Sequence, residues 1–216
     1  MRDRLRPTLF VVAALLGGCS ETRFESPPGD NIETCDPRWK GLWTGDDAKL
    51  TDTATAFFVD EGCRFLVLEQ TEPSGPLKEI HVPVNYVHAD GKDYLVVADT
   101  ALKGLVELKP VYGVEPPPAK AFFFARYEAL ADRIDVHAVA HERVARQIID
   151  GKLDGTVSKM PNELHVYVRG DRARMLEILR RGGIFADKAE LHLVRIRQTP
   201  AEYEHSLIEA QRRRPQ

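Results

Sequence analysis

The chain has 216 residues, of which 43% are hydrophobic and 29% charged, with a formal net charge of −3. Those proportions suit a folded globular domain and exclude an intrinsically disordered chain. A mildly acidic protein has no electrostatic attraction for nucleic acid, so a nucleic-acid partner is set aside.

The N-terminus reads in three parts. Residues 1–7 carry Arg2, Arg4 and Arg6 against Asp3, and residues 9–16 form an unbroken apolar run. Eight residues of helix rise only about 12 Å, against roughly 30 Å of hydrocarbon, so this run cannot span a bilayer. Small residues follow, as a cleavage site requires, and residues 1–18 are expected to be a removed signal peptide. Its loss leaves a mature chain of net charge −5.

Leu16-Gly17-Gly18-Cys19 resembles the lipobox of bacterial lipoproteins. The resemblance implies cleavage before Cys19, a diacylglycerol on its sulfur and an acyl chain on its freed amine. One acyl chain anchors a protein marginally and two or more anchor it stably. Ser20 stands where retention at the inner membrane favours aspartate, so the resemblance implies an outer-membrane anchor with the domain in the periplasm. Two cysteines remain, Cys35 and Cys63. An oxidising compartment lets them pair, and such a bridge is worth about 3–4 kcal/mol in a structural rather than catalytic role.

Residues 19–36 are polar and contain Pro27-Pro28-Gly29, the composition of an extended, flexible lipidated tether. A single β-rich domain is expected over residues 37–198. Strands are expected at 54–60, 63–70 and 79–87, the last with Pro83 marking an edge or bulge. Asp90-Gly91 is a hairpin signal leading into a strand at 94–98. Two strands are expected within 105–114, then a loop at Pro116-Pro117-Pro118, then a hairpin of 121–127 with 133–139. Helical spacing places a helix at 142–150, stopped by Gly151. A strand at 163–169 precedes a helix at 172–181, capped by Asp171 and ended by Gly182-Gly183. A last strand covers 189–197. Residues 199–216 form a charged helix or tail that opens on the capping-box spacing Thr199-Pro200-Ala201-Glu202 and ends in Arg212-Arg213-Arg214.

About eight strands joined mostly by short turns, with two short helices in the C-terminal half, predict a mainly β fold. The expected architecture is an antiparallel curled sheet, closed to a barrel or half-barrel. Gly41-Leu42-Trp43 resembles the G-x-W that opens the first strand of lipocalins, where the indole closes the barrel bottom. The passage from Phe122-Phe123-Phe124 to Gly151-Lys152-Leu153-Asp154-Gly155 is similar to one in small bacterial lipoproteins that carry no known activity.

No catalytic constellation stands out. His137 and His141 lie four apart with Glu142 adjacent, but the second histidine of a His-Glu-x-x-His zinc motif is absent, and no metal site is expected. No G-x-S-x-G occurs, Ser20, Ser26, Ser74, Ser158 and Ser206 lie in tether, turn or tail contexts, and Asp46-Asp47 lies in a turn. His81, Asn85, His165, Tyr167 and His192 could share one polar sheet face. The sequence therefore predicts a non-enzymatic, monomeric envelope lipoprotein without cofactor, which binds an envelope protein or serves a structural role. The alternative is a lipocalin-like carrier of a small apolar ligand, held among inward-facing Phe57, Phe65, Tyr94, Phe122 and Phe124.

Overall fold

The computed structural model describes residues 20–46, 55–70, 72 and 75–213. Cys19 and the signal segment lie outside the described residues, as do Asp47 and Ser74.

Short runs of alternating burial, cut by glycine, proline and Asp-Gly, produce a mainly β structure. Its centre is an antiparallel run of nine strands. In spatial order these are β7 (Asn85–Ala89), β8 (Lys92–Ala98), β9 (Phe122–Ala129), β10 (Arg133–His137), β13 (Leu191–Ile196), β3 (Gly41–Gly45), β4 (Thr55–Val59), β5 (Phe65–Gln70) and β6 (Leu77–His81). The run curls into a half-barrel. Its two ends, β6 and β7, are consecutive in the chain and are joined by Val82, Pro83 and Val84. The sequence predicts one strand over 79–87; the structure divides it, because Pro83 has no N–H to continue a ladder.

A second group of strands flanks the half-barrel. β1 (Ser20–Phe24) runs parallel to β12 (Glu163–Val168), and β12 pairs antiparallel with β11 (Gly155–Met160). β1 also meets β9 where Phe24 pairs with Phe122. A short strand, β2 (Ile32–Glu33), adds to β7. Three helices complete the fold: α1 (His141–Ile149), α2 (Arg172–Arg181) and α3 (Pro200–Arg212).

Three apolar cores result. Inside the half-barrel pack Trp39, Trp43, Phe57, Phe65, Leu95, Phe123 and Tyr127, among others. The opposite face of β8 and β9 packs Tyr94, Val96 and Phe124 against Phe24, against Val144 of α1, and against Met175, Ile178 and Leu179 of α2. The third core lies under α3, whose Tyr203 and Leu207 cover Leu42, Ala56, Leu66 and Leu68. The G-x-W residues seal the seam between β3 and β13. Trp43 Nε1 donates to the Trp39 carbonyl at 2.7 Å, and the Arg195 guanidinium lies 4.1 Å over the Trp43 ring. Arg195 also donates to the Lys40 carbonyl at 2.5 Å. Gly41, at φ +111°, holds a backbone conformation that other residues rarely adopt, and a Cβ there would displace the Arg195 guanidinium, 2.7 Å away.

Several expectations are corrected. The mainly β, curled antiparallel half-barrel is as expected, but among the described residues the sheet has thirteen strands rather than about eight. Residues 105–114 form no strand; they are irregular and lay Leu105, Val106 and Leu108 over the half-barrel core. Residues 155–160 form β11, which the sequence reading omits. The segment 20–36 is not a free tether. Its first five residues are β1, the Phe24 ring stacks on Phe124 at 4.1 Å, and Pro27 and Pro28 are buried. The C-terminal helix forms over Pro200–Arg212 as expected, but it is packed rather than exposed, held by its capping box and by the buried Tyr203 and Leu207. Tyr94, Phe122 and Phe124 do not point into the half-barrel. Their neighbours Leu95 and Phe123 do, which is a one-residue difference of register.

Phe24 separates a folded strand from a tether. Phe24→Ala is expected to cost about 3–5 kcal/mol in denaturant unfolding, the range for emptying a buried aromatic site. A change below about 0.5 kcal/mol would mean that the segment is not packed.

Candidate functional site

The two faces of the β8–β9–β10 sheet differ in how far they are covered. On the face turned to the helices, β9 presents Phe122 and Phe124 and then, two residues on, Arg126 and Glu128. The apolar cover of α2 reaches only the first pair. Cross-strand register sets Tyr94, Arg126 and His137 side by side on this face. α2 ends at Gly182 and Gly183, both at positive φ, and the chain leaves toward Phe185 and Asp187. The result is an open cleft of about 230 Å³, lined by Lys92, Tyr94, Arg126, Arg143, the Gly182-Gly183 pair and Asp187, among others. A second hollow, of about 270 Å³, lies against it and shares Lys92 and Arg126.

Each cation in the cleft has a different set of partners. Arg143 of α1 makes a two-pronged ion pair with Asp187, at 2.8 and 3.2 Å, and donates to the Phe185 carbonyl. Arg126 has one carboxylate, Glu128 at 3.2 Å, which is itself 56% exposed. The Arg126 Nε is buried and has no hydrogen-bond partner among the described residues. Lys92 has no carboxylate within ion-pair distance among the described residues. His137 is buried; its Nδ1 lies 3.1 Å from the Ala186 carbonyl, and its Nε2 lies 3.6 Å from Glu128.

Beyond the lip, a tighter network fills the mouth of the half-barrel. Arg38 grips Asp36 with contacts at 2.7 and 3.0 Å and reaches Asp93 at 2.6 Å. Tyr127 donates to Asp36 at 2.5 Å, and His88 Nδ1 lies 2.6 Å from Asp93. Burial alone would raise the Asp36 pKa, but the hydrogen bonds from Arg38 and Tyr127 outweigh it and hold the carboxyl below its ordinary value. These charges are already matched with one another.

Of the residues singled out from the sequence, the two cysteines are brought together and the polar ones are not. Cys35 and Cys63 are bonded, with their Cα atoms 5.3 Å apart. His81 is exposed on β6 and Asn85 opens β7. His165 is buried between Glu163 and Glu21, at 2.9 and 3.2 Å. Tyr167 is buried in β12, while His192 on β13 lies 2.6 Å from Asp135. His165 and Tyr167 share one face of β12, but the other three lie on separate strands, and no single face holds all five. His141 opens α1, and its Nδ1 lies 2.8 Å from Thr22 Oγ1 of β1. Among the described residues, no three of His, Cys, Asp or Glu converge as a metal site would require. Inside the half-barrel, Phe57, Phe65, Val82, Val84, Leu95 and Phe123 are among the apolar residues around a cavity of about 40 Å³.

Sequence reasoning passed over Lys92, Arg126 and Arg143, which lie on separate elements with no motif spacing. The one available signal was the change from aromatic to charged side chains along a single face of residues 122–128. Compared with known families, curated proteins and solved structures, the chain matches none.

Burial pushes the His141 pKa down to about 4, from 6.5. Between those values the unfolded chain binds a proton that the folded one does not, so stability is complete above about 6.5 and is lost as pH falls toward 4. Unfolding measured at several pH values should show that slope, and His141→Gln should flatten it. An unchanged slope in the variant would place its origin elsewhere.

Proposed function

We propose that the chain is a lipid-anchored lipoprotein of the cell envelope, held through acylated Cys19, with a non-enzymatic binding role in the periplasm. The charge, apolar run and lipobox of residues 1–19 support the anchor, and the Cys35–Cys63 disulfide suits an oxidising compartment. The observation that carries the reading is the lipobox Leu16-Gly17-Gly18-Cys19 behind its charged and apolar segments, and the start of β1 fixes how near the anchor the domain lies. Ser20, bonded directly to Cys19, already pairs with Leu164 of β12. An acyl group on Cys19 is then tied to the sheet with no spacer. The domain sits against the headgroups, with the turn between β11 and β12 nearest the bilayer. Ser20 in place of aspartate favours the outer membrane.

The binding role rests on the cleft, whose cations and phenol suit holding a ligand. The carrier reading finds less support, because a cavity of about 40 Å³ is several-fold smaller than the roughly 300 Å³ at the low end for small-molecule pockets.

Fractionation of intact cells tests the anchor. The wild-type protein should sediment with membranes and be extracted by detergent, and Cys19→Ala should move it to the soluble fraction. A variant that still sediments with membranes would overturn the reading.

A further inference from the structure

The cleft over β8 and β9 has more positive charge than the protein matches. Lys92, Arg126 and Arg143 line it; Arg143 is paired with Asp187 and Arg126 with Glu128, and Lys92 has no carboxylate among the described residues, in a chain whose net charge is −3. Elsewhere Arg38, Arg64, Arg133, Arg172 and Arg180 each lie within 3.0 Å of a carboxylate oxygen. Arg126 is held less closely than these. It is partly withdrawn from water, its Nε faces no acceptor, and its single ion pair is to a mostly exposed glutamate. A buried donor without a partner is unfavourable, and an incoming acceptor removes that cost. Lys92 stands beside it, exposed and without a carboxylate among the described residues. The two positive-φ glycines leave the opposite wall open, since no atom lies within 4 Å of a Cβ at Gly182 and only Gln147 Nε2, at 3.8 Å, approaches one at Gly183. The buried ring of Tyr94, packed 5.7 Å from Phe185, supplies an apolar floor.

We infer that this cleft binds an oxyanion, the phosphate or carboxylate group of a small molecule, gripped by Arg126 and Lys92 with Arg143 behind them. Guanidinium and ammonium groups are the side chains suited to such groups, the first by paired hydrogen bonds and the second as a point charge. A volume of about 230 Å³ admits the anionic group with a short organic body. The proposal names the ligand class for the binding role above and is independent of the lipid. Titration reads the cleft and fractionation reads the anchor, so either can fail alone.

The test is calorimetric titration of the full-length protein in non-ionic micelles at low ionic strength. The probes are inorganic phosphate, succinate and dihexanoyl phosphatidylglycerol below its micelle concentration. Saturable binding is expected for at least one probe, weakened tenfold or more in Lys92→Gln and in Arg126→Gln and unchanged in Lys120→Gln. Binding of phosphate or succinate at least as tight as that of the lipid identifies a free solute as the occupant; markedly tighter binding of the lipid identifies a membrane headgroup. Lys92 is exposed, so Lys92→Gln decides the matter even if Arg126→Gln fails to fold. No saturable binding of any probe, or equal binding in Lys92→Gln and the wild type, would overturn the proposal.

Discussion

β1 is hydrogen-bonded along its whole length to β12 and touches β9 at Phe24, so the first described residue is already inside the sheet. Everything on the helical side of the protein depends on that insertion. Phe24 fills the core between β9 and the helices, Thr22 reaches His141 at the start of α1, and Arg23 crosses under residues 105–113 to donate to the Lys109 carbonyl at 2.5 Å. A parallel pair needs a long crossover, and here almost the entire domain serves as the connection between β1 and β12. The segment next to the proposed anchor is therefore placed only when the rest of the chain has folded.

The strand pair β8–β9 divides the remaining work. One face closes the half-barrel, where Trp43 beneath Arg195 seals the β3–β13 seam and the aromatic side chains leave only a small void. The other face is apolar for half its length and charged for the rest, because α2 stops at Gly182 before it can cover Arg126. Filled interior and uncovered lip have opposite consequences. The first removes the space that a carrier would need, and the second leaves guanidinium and ammonium groups short of acceptors. At the mouth of the half-barrel, Asp36, Arg38, Asp93 and Tyr127 form a satisfied network, and there the charges serve the fold.

Much of this architecture was legible in the sequence. Short apolar, β-rich runs between turn residues marked β4, β5, β8, β9 and β10, alternation marked β12, and local chemistry fixed the helix ends: Asp171 accepts from the Arg174 N–H, Thr199 and Glu202 close a capping box, and Gly151 follows α1 at φ +70°. β1 was hidden because Glu21 and Arg23 dominate its composition, and its partner strand lies more than a hundred residues away. β11 was hidden because its half-buried Thr156, Val157 and Ser158 resemble a loop. Gly155 marks its start, where any Cβ would collide with the Tyr167 carbonyl. The cleft was not legible, since cross-strand register, and not spacing along the chain, sets Arg126 beside Tyr94 and His137.

Amide hydrogen exchange on the full-length protein tests the central claim most directly. If the residue after Cys19 begins a strand of the folded sheet, the β1 amides paired with β12 exchange as slowly as those of Val166 and Val168. Exchange of residues 21–24 within seconds, beside a protected β12, would contradict that claim and return the segment to a free tether.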